Sequence, residues 1–256
     1  MSPMRQQQPR EPLARGYAVT HPPGTVVLPQ PRGWHQLLLA TSGVLTVESL
    51  TGTWVVPPQR AVWVPDGLRH RLVMTGRVRV RALYLAGALT PAALPADECR
   101  AVNVPPVLGE LVDHAVRTAP LYGDDPRDAR LVAVIVDLLE ELPAAPLRLP
   151  LPADRRARDV AALLLDDPAR EATVNDLARQ VGASRRTIER AFRTDTGMSV
   201  GTWRTRLRLV EALRLLAAGE PVSRVATTVG YSTPSAFGAM FVRHMGTTPA
   251  RYFHQP

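Results

Sequence analysis

The first hundred residues contain short apolar runs separated by Gly and Pro, a pattern typical of β-strands joined by tight turns. Within Val78–Leu85 apolar and polar side chains alternate at period two, as expected for a strand with one buried face. The candidate strands are Thr25–Leu28, Gln36–Ala40, Val44–Ser49, Trp54–Val56, Ala61–Val64, His70–Met74 and Val78–Leu85. Strands this short and closely spaced predict a small barrel or sandwich.

The pattern becomes helical after residue 100. Pro105–Arg117 and Pro126–Leu142 predict helices, the second with one apolar face and a Pro at its start. Four prolines fall within Pro143–Ala153, which therefore cannot be the interior of a helix and is interpreted as a linker. From Arg155 onward the sequence predicts helices almost to its end. The polar, Pro-rich residues 1–15 predict a disordered arm.

An internal repeat is the strongest signal in the second half. Five positions recur 48 residues later and four more recur 49 residues later, which a one-residue insertion explains. The first set is Val174, Leu177, Ala178, Val181 and Gly182, which recur as Val222, Val225, Ala226, Val229 and Gly230. The second set is Ile188, Phe192, Gly197 and Trp203, which recur as Phe237, Phe241, Gly246 and Tyr252.

Each copy of the repeat encodes two helices around a glycine turn. An apolar stripe marks a short first helix, and the Gly after it permits a left-handed turn residue. Thr173 and Asp176 predict a capping box, while Thr233 and Pro234 predict the start of the last long helix. Helices joined in this way can place the second one in the major groove of DNA.

The charge distribution favours a polyanionic partner for the same half. The chain carries a net charge of +8, and all 31 basic residues are Arg. Residues 1–153 hold 15 Arg and 13 acidic residues, a net +2, whereas residues 154–256 hold 16 Arg and 10 acidic residues, a net +6. A GC-rich genome also explains abundant Arg, so the position of the charge matters more than its total.

The single Cys99 excludes an intrachain disulfide and fits a reducing compartment. We interpret it as a structural thiol rather than a redox sensor. The polar N-terminus lacks the apolar core of a signal peptide, and no apolar stretch approaches the ~20 residues that cross a bilayer. These features predict a cytoplasmic protein with no membrane partner.

Residues 173–253 resemble the DNA-binding domain of the AraC/XylS family of bacterial regulators. The motifs that carry the resemblance are A-x-x-x-G at Ala178–Gly182, S-x-R-T-I-x-R-x-F at Ser184–Phe192 and G-M-S-x-x-x-W-R at Gly197–Arg204. The second copy adds V-A-x-x-x-G-Y-S-x-x-S-A-F and G-T-T-P-x-R-Y-F. The resemblance implies a transcription regulator that inserts two recognition helices into successive major grooves of double-stranded DNA. A homodimer and contact with RNA polymerase are the further partners it suggests.

The resemblance also implies which side chains meet DNA. On the first recognition helix Ile188 and Phe192 face the core, as do Phe237 and Phe241 on the second. Arg186, Glu189 and Arg190 therefore lie on one outward face, where Arg can bind guanine and Glu can accept from cytosine. A solvated face with an internal Arg–Glu pair is the alternative. The side chains at the corresponding positions of the second recognition helix are short, so we expect the second unit mainly to contact phosphates. The complete expected set is Ser184, Arg185, Arg186, Thr187, Glu189, Arg190, Arg193, Ser232, Thr233, Pro234, Ser235, Ala239 and Arg243.

Three arginines at the start of the connecting helix have two equally supported interpretations. Arg204, Arg206 and Arg208 either contact phosphates or form a solvated face.

The N-terminal strands resemble the small cupin barrels attached to many of these regulators. Trp54–His70 carries the resemblance, including P-x-G-x-x-H at its end. Alignment with the cupins places Gln30 and Arg32 where a metal-binding H-x-H pair stands, which leaves Gln36 and His70 as candidate ligands. We therefore expect no metal, no cofactor and no enzymatic activity. A cupin-type metalloenzyme fused to a DNA-binding domain is the alternative, and it weakens for the same reason.

The barrel is instead interpreted as a sensor for a small organic effector. The expected pocket consists of Trp34, Gln36, Trp54, Trp63, His70 and Tyr84. A barrel that only dimerises the protein is the alternative. The apolar helices that follow serve a dimer interface or pack on the barrel equally well.

The predicted fold class is α+β with two domains: an N-terminal cupin-like β-barrel with trailing helices, and a C-terminal all-α domain with two helix-turn-helix units. The expected divisions are a disordered arm at 1–15, the barrel at 16–100, helices at 101–142, a Pro-rich linker at 143–153 and the DNA-binding domain at 154–256.

Overall fold

A computed structural model describes residues 10–28, 32–50, 52–89, 91–142 and 147–253. In these residues one curled antiparallel sheet dominates the N-terminal half, and helices form the C-terminal half. The predicted α+β class is therefore confirmed at this level. Some predictions lie outside the described residues, namely the arm over 1–9, the ligand position of Gln30, the linker over 143–146 and the last three residues.

The sheet has nine strands within the described residues, and every pairing is antiparallel. Its main order is β7-β5-β3-β6-β1-β8, with β2 beside β6, and with β4 between β3 and β9. The strands are β1 Pro12–His21, β2 Val26–Val27, β3 Trp34–Ser49, β4 Gly52–Val56, β5 Arg60–Val64, β6 His70–Ala86, β7 Arg100–Asn103, β8 Leu121–Tyr122 and β9 Arg148–Pro150.

The sheet curls because its two long strands bend. The sequence predicted two strands within each of β3 and β6, but each is continuous. The β3 register shifts on both sides of Ser42, next to Gly43 with its φ of +70°. Such a bulge bends the strand, so its first half pairs with β5 and its second half with β4.

Two helices cover one face of the sheet. They are α1 (Pro106–Thr118) and α2 (Pro126–Glu141), close to their predicted bounds. Ile135 and Leu139 of α2 are fully buried in one apolar core with Leu37 of β3. Packing on the sheet therefore accounts for the apolar stripe of α2.

The helical half contains α3 Arg155–Asp166, α4 Val174–Gln180, α5 Arg185–Thr196, α6 Val200–Ala217, α7 Val222–Thr228, α8 Pro234–Met245 and α9 Pro249–Phe253. The helices α6 to α9 share an apolar core with the sheet face opposite α1 and α2. In this core Leu213 of α6 and Phe241 of α8 lie in one cluster with Leu38 and Val64. The hydroxyl of Tyr252 in α9 also donates to the carbonyl oxygen of Pro58 at 2.8 Å. The two halves are thus packed against each other.

Three predicted boundaries are wrong in detail. Residues 12–15 of the expected arm belong to β1, since their backbone pairs with β6 and β8. Residues 148–150 of the expected linker form β9, which pairs with β4 at a sheet edge, where Pro is tolerated. The segment 101–142 is not only helical, because β7 and β8 pair with β5 and β1. Long-range pairing overrides local composition in all three places.

Candidate nucleic-acid interface

The repeat corresponds to two similar helix pairs. The helices α4 and α5 meet at a turn containing Gly182, and α7 and α8 meet at a turn containing Gly230. Both glycines have positive φ, +64° and +82°, which is the left-handed conformation that the sequence predicted. A Cβ on Gly230 would also lie 2.6 Å from Arg208 Nη2.

Side-chain caps fix where these helices begin. Thr173 and Asp176 form the predicted capping box of α4. Ser184 accepts from the Thr187 amide at the start of α5, and Thr233 accepts from the Ala236 amide at the start of α8. Each cap satisfies an amide that would otherwise lack an intrahelical partner.

The capping box also perturbs the acidity of its carboxylate. The Thr173 hydroxyl donates to Asp176 at 2.5 Å, the Thr173 amide donates at 3.0 Å, and Arg179 adds an ion pair. These contacts, with the hydroxyl bond first, hold the pKa of Asp176 below its ordinary value.

Helix α5 presents a basic outer surface. Ile188 and Phe192 are fully buried, as predicted, and the Phe192 ring packs edge-on against Trp203 with centroids 5.7 Å apart. Within the described chain, no ion pair occupies the exposed arginines of this helix, which are Arg185, Arg186, Arg190 and Arg193. We call these four residues the α5 arginine row. It leaves four cations available to an external anion.

Other expected contact residues of α5 are engaged within the protein. Glu189 is half-buried, and its carboxylate accepts from the Val200 amide at 3.4 Å. The hydroxyls of Ser184 and Thr187 lie 2.9 Å apart. The expected Arg–Glu pair is not among the described ion pairs, and base reading by Glu189 stays a prediction.

Helix α8 presents a shorter and less charged surface. Phe237 and Phe241 are buried, which matches the inward pair of α5. The predicted contact residues of this unit are all exposed, and they are Ser232, Thr233, Pro234, Ser235, Ala239 and Arg243. Arg243 is their single cationic side chain, so this surface differs chemically from the α5 arginine row.

The three arginines at the start of α6 do not form a fully solvated face, and their contact with phosphates stays a prediction. All three are half-buried, and they donate to backbone carbonyls: Arg204 to Ala172 at 2.9 Å, Arg206 to Arg148 at 3.3 Å and Arg208 to Pro168 at 2.9 Å. They hold α6 against neighbouring segments. Nothing in the sequence signalled these bonds, because their acceptors lie 32 to 58 residues away.

The expected effector residues do not share one surface. Gln36 pairs with Tyr84 across the sheet, and Trp34 lies two residues before Gln36, so these three share a face. Trp63 points to the opposite face, where it is fully buried with α1 and α2 and stacks on His35 at 4.8 Å. A pocket that includes both Gln36 and Trp63 is therefore wrong.

The remaining two expected residues differ in burial, since Trp54 is fully buried and His70 is half-buried. Trp54 is fully buried in the core that includes Leu38. His70 Nδ1 lies 2.8 Å from the Leu68 carbonyl oxygen, and burial lowers the pKa of this imidazole. In the described part of the chain, no group of three His, Cys, Asp or Glu side chains is arranged to hold a metal ion.

The comparisons with known proteins agree with these features. A family model described as a helix-turn-helix domain matches residues 177–255. The transcriptional regulator NimR of Escherichia coli is 31% identical over 232 residues, which cover 90% of this chain and 84% of NimR. RipA of Corynebacterium glutamicum is 40% identical over 103 residues, covering 40% of this chain and 31% of RipA. ToxT from Vibrio cholerae is more distant, with 10% identity, a TM-score of 0.40, and coverage of 94% of this chain and 97% of ToxT.

A curled antiparallel sheet joined to a helix-turn-helix region, with full-length similarity to a named regulator, defines a DNA-binding transcription regulator. More specifically, the chain belongs to the AraC family of transcription regulators. Its described residues contain no helix long and apolar enough to span a membrane.

Proposed function

We propose that both helix pairs act as helix-turn-helix units, with α5 and α8 entering successive major grooves of one DNA site. The observation that carries this proposal is the α5 arginine row, whose cations have no ion-pair partner in the described chain. Arg binds the guanine edge through two hydrogen bonds, and Arg is also the residue best suited to phosphate. The matching caps and turns of the two pairs support a common docking geometry.

The two units contribute unequally in this proposal. Arg186 and Arg190 on α5 supply sequence reading, since their side chains are long and exposed. The surface of α8 offers hydroxyls, a helix start and Arg243, which suit phosphate oxygens better than base edges. The first unit therefore determines which DNA sequence is bound, and the second adds affinity through phosphate contacts.

The test is a pair of arginine variants measured on a duplex selected from a random-sequence pool. Arg190→Ala is expected to cost about 1–3 kcal/mol of binding and to relax preference at one base position. Arg243→Ala is expected to weaken binding to all sequences alike and to lower the salt slope by about 1. Arg69→Ala, at an exposed arginine just before β6, carries the same charge change as a control.

Base-pair substitutions in the selected duplex complete that test. Mismatches under α5 are expected to cost about 1–3 kcal/mol each, and mismatches under α8 clearly less. Equal losses of binding free energy under both helices would contradict the assignment of base reading to α5 and phosphate contact to α8. An Arg190→Ala variant that keeps its full base preference would contradict the assignment of that residue.

The sensory role of the N-terminal half is a second part of the proposal. We infer that the curled, cupin-like sheet binds a small organic effector that controls DNA binding. Its support is that several buried polar atoms of the sheet have no partner in the described residues, among them Gln36 Oε1, Trp54 Nε1 and His70 Nε2. A thermal-shift screen of the full chain against small organic molecules tests it.

Assembly is a third part of the proposal. We infer that the protein acts as a homodimer through α1 and α2, where Val107 and Val134 are 55% and 45% exposed. Sedimentation equilibrium measures this directly. Val134→Glu should shift the protein toward monomer, and a monomeric wild-type protein at micromolar concentration would contradict it.

A further inference from the structure

One cavity shares only Trp54 with the effector pocket expected from the sequence. Its volume is about 480 Å³, and it lies between β4, β7, β9 and the segment that precedes β7. Trp54 of β4, Arg100 of β7 and Arg148 of β9 contribute its polar groups, and Leu94 and Ala101 are among its apolar ones. This volume falls in the range of small-molecule sites.

The cavity has an excess of buried hydrogen-bond donors. Trp54 is fully buried, and its Nε1 has no acceptor among the described residues. The same holds for the Nε atoms of Arg100 and Arg148. Buried polar groups are normally paired, and an unpaired one is destabilising, so three donors around one space require explanation.

The hydrogen-bond acceptors around the cavity do not satisfy these unpaired donors. Glu98 is the carboxylate among the lining residues, and it already pairs with Arg148 Nη1 at 2.7 Å. The guanidinium of Arg100 donates to the carbonyls of Ala93 and Leu142, at 2.6 and 3.2 Å, through its terminal nitrogens. Two cations against one anion give the cavity a net positive charge.

We propose that this cavity binds a small organic carboxylate with an apolar body. The carboxylate accepts hydrogen bonds from Arg148 and Trp54, and the body contacts Leu94 and Ala101. The Arg148 guanidinium already lies 5.4 Å from the centroid of the Trp54 ring, so the two side chains that supply these donors are neighbours. The site gives the effector of the proposed function a location and a chemical class, and it rests on that function.

The strand that carries Arg148 also holds the helical half. In β9 the Arg148 carbonyl accepts from Arg206 at 3.3 Å, and the Pro150 carbonyl accepts from Trp203 Nε1 at 2.7 Å. Both donors belong to α6, which joins the two helix pairs. A ligand that shifts β9 therefore shifts α6 and changes the affinity for DNA.

The test uses the full chain and four carboxylate probes: benzoate, phenylacetate, indole-3-acetate and octanoate, each at about 1 mM. At least one probe is expected to raise the melting temperature and change tryptophan fluorescence, while its neutral amide does neither. Arg148→Gln is expected to weaken that binding about tenfold or more, because it removes a charge-assisted bond. Arg71→Gln removes an arginine from an exposed pair with Glu48 and is the matched control.

A second variant keeps the test decisive if Arg148→Gln does not fold. Trp54→Phe retains an aromatic ring but removes the indole donor, and it is expected to weaken carboxylate binding about threefold or more. Absence of binding by all four probes, or wild-type binding in a folded variant of either residue, would overturn the site.

The coupling is measured as the affinity for the selected duplex with and without the bound probe. A change of about threefold or more is expected. A probe that binds without changing that affinity would overturn the coupling through β9. The failure of this site is distinct from failure of the DNA-reading proposal, since sequence preference without any probe is measured separately.

Discussion

Trp203 Nε1 donates a 2.7 Å hydrogen bond to the carbonyl oxygen of Pro150, 53 residues earlier in the chain. Both groups are buried, and the bond joins the helix between the two helix pairs to the last strand of the sheet. Trp203, which the repeat matches with Tyr252 as an apolar position, therefore also connects the helical half to the sheet.

Trp203→Phe is expected to lower the free energy of unfolding by about 2–5 kcal/mol, since it removes ring volume and leaves a buried carbonyl unpaired. Trp63→Phe is the matched control, because Trp63 is equally buried but its Nε1 has no partner in the described residues. Urea unfolding of both variants measures the difference. A loss in Trp63→Phe as large as that in Trp203→Phe would show that the bond to Pro150 contributes little.

The two turn glycines are expected to respond differently to the same substitution. Gly182→Ala meets no atom within 4 Å and should cost only the left-handed strain, about 1–2 kcal/mol. Gly230→Ala should cost about 1–3 kcal/mol more, because its Cβ would lie 2.8 Å from the Ala169 Cα as well as against Arg208. Thermal unfolding of the two variants compares them. The prediction fails if the two melting temperatures fall equally.

Tyr252 is expected to make stability fall at high pH. Burial raises the pKa of its hydroxyl to about 12, so the folded state holds the proton more tightly than the unfolded chain does. The resulting stability is complete below the unfolded pKa near 10 and is lost as the pH rises toward 12. Urea unfolding between these pH values should show a shallower loss for Tyr252→Phe than for wild type. A Tyr252→Phe variant whose stability falls as steeply as that of wild type would contradict this cause.

Asp176 is expected to titrate below an ordinary aspartate. Its depressed pKa means that the contribution of the capping box is present above the unfolded pKa and is lost as the pH falls through the folded one. Thr173→Val, which removes the hydroxyl donor, should raise the carboxyl midpoint measured by NMR. Arg179→Gln should raise this midpoint less, because its ion pair with Asp176 is exposed and lowers the pKa less than the Thr173 hydrogen bonds do. The reverse order would contradict the assigned cause.

Local signals allowed the helical half to be predicted in detail. Thr173 and Thr233 cap the helices that their positions indicated, because capping involves residues only three apart. The inward pairs of α5 and α8 followed from the repeat in the same way. How these helices meet the sheet was not predictable, since the contact between Tyr252 and Pro58 joins residues 194 apart.

The N-terminal half was harder to predict because its order depends on pairing between distant strands. Residues 148–150 lie in a Pro-rich stretch, yet they form a strand because β4 offers a free edge. The sequence pattern predicts separate strands on either side of Gly43, but β3 bends there and continues. No local pattern could show that Arg100 and Arg148 line one cavity with Trp54, since their relation depends on how β7 and β9 are placed.

The strand β9 has a consequence for the geometry of target sites on DNA. A flexible tether would let the helical half reach sites at many distances and angles from the sheet. Here the tether is itself hydrogen-bonded into the sheet on one side and to α6 on the other. Two copies joined through α1 and α2 would therefore tolerate one separation between half-sites, and inserting half a helical turn of DNA between them should abolish joint occupancy.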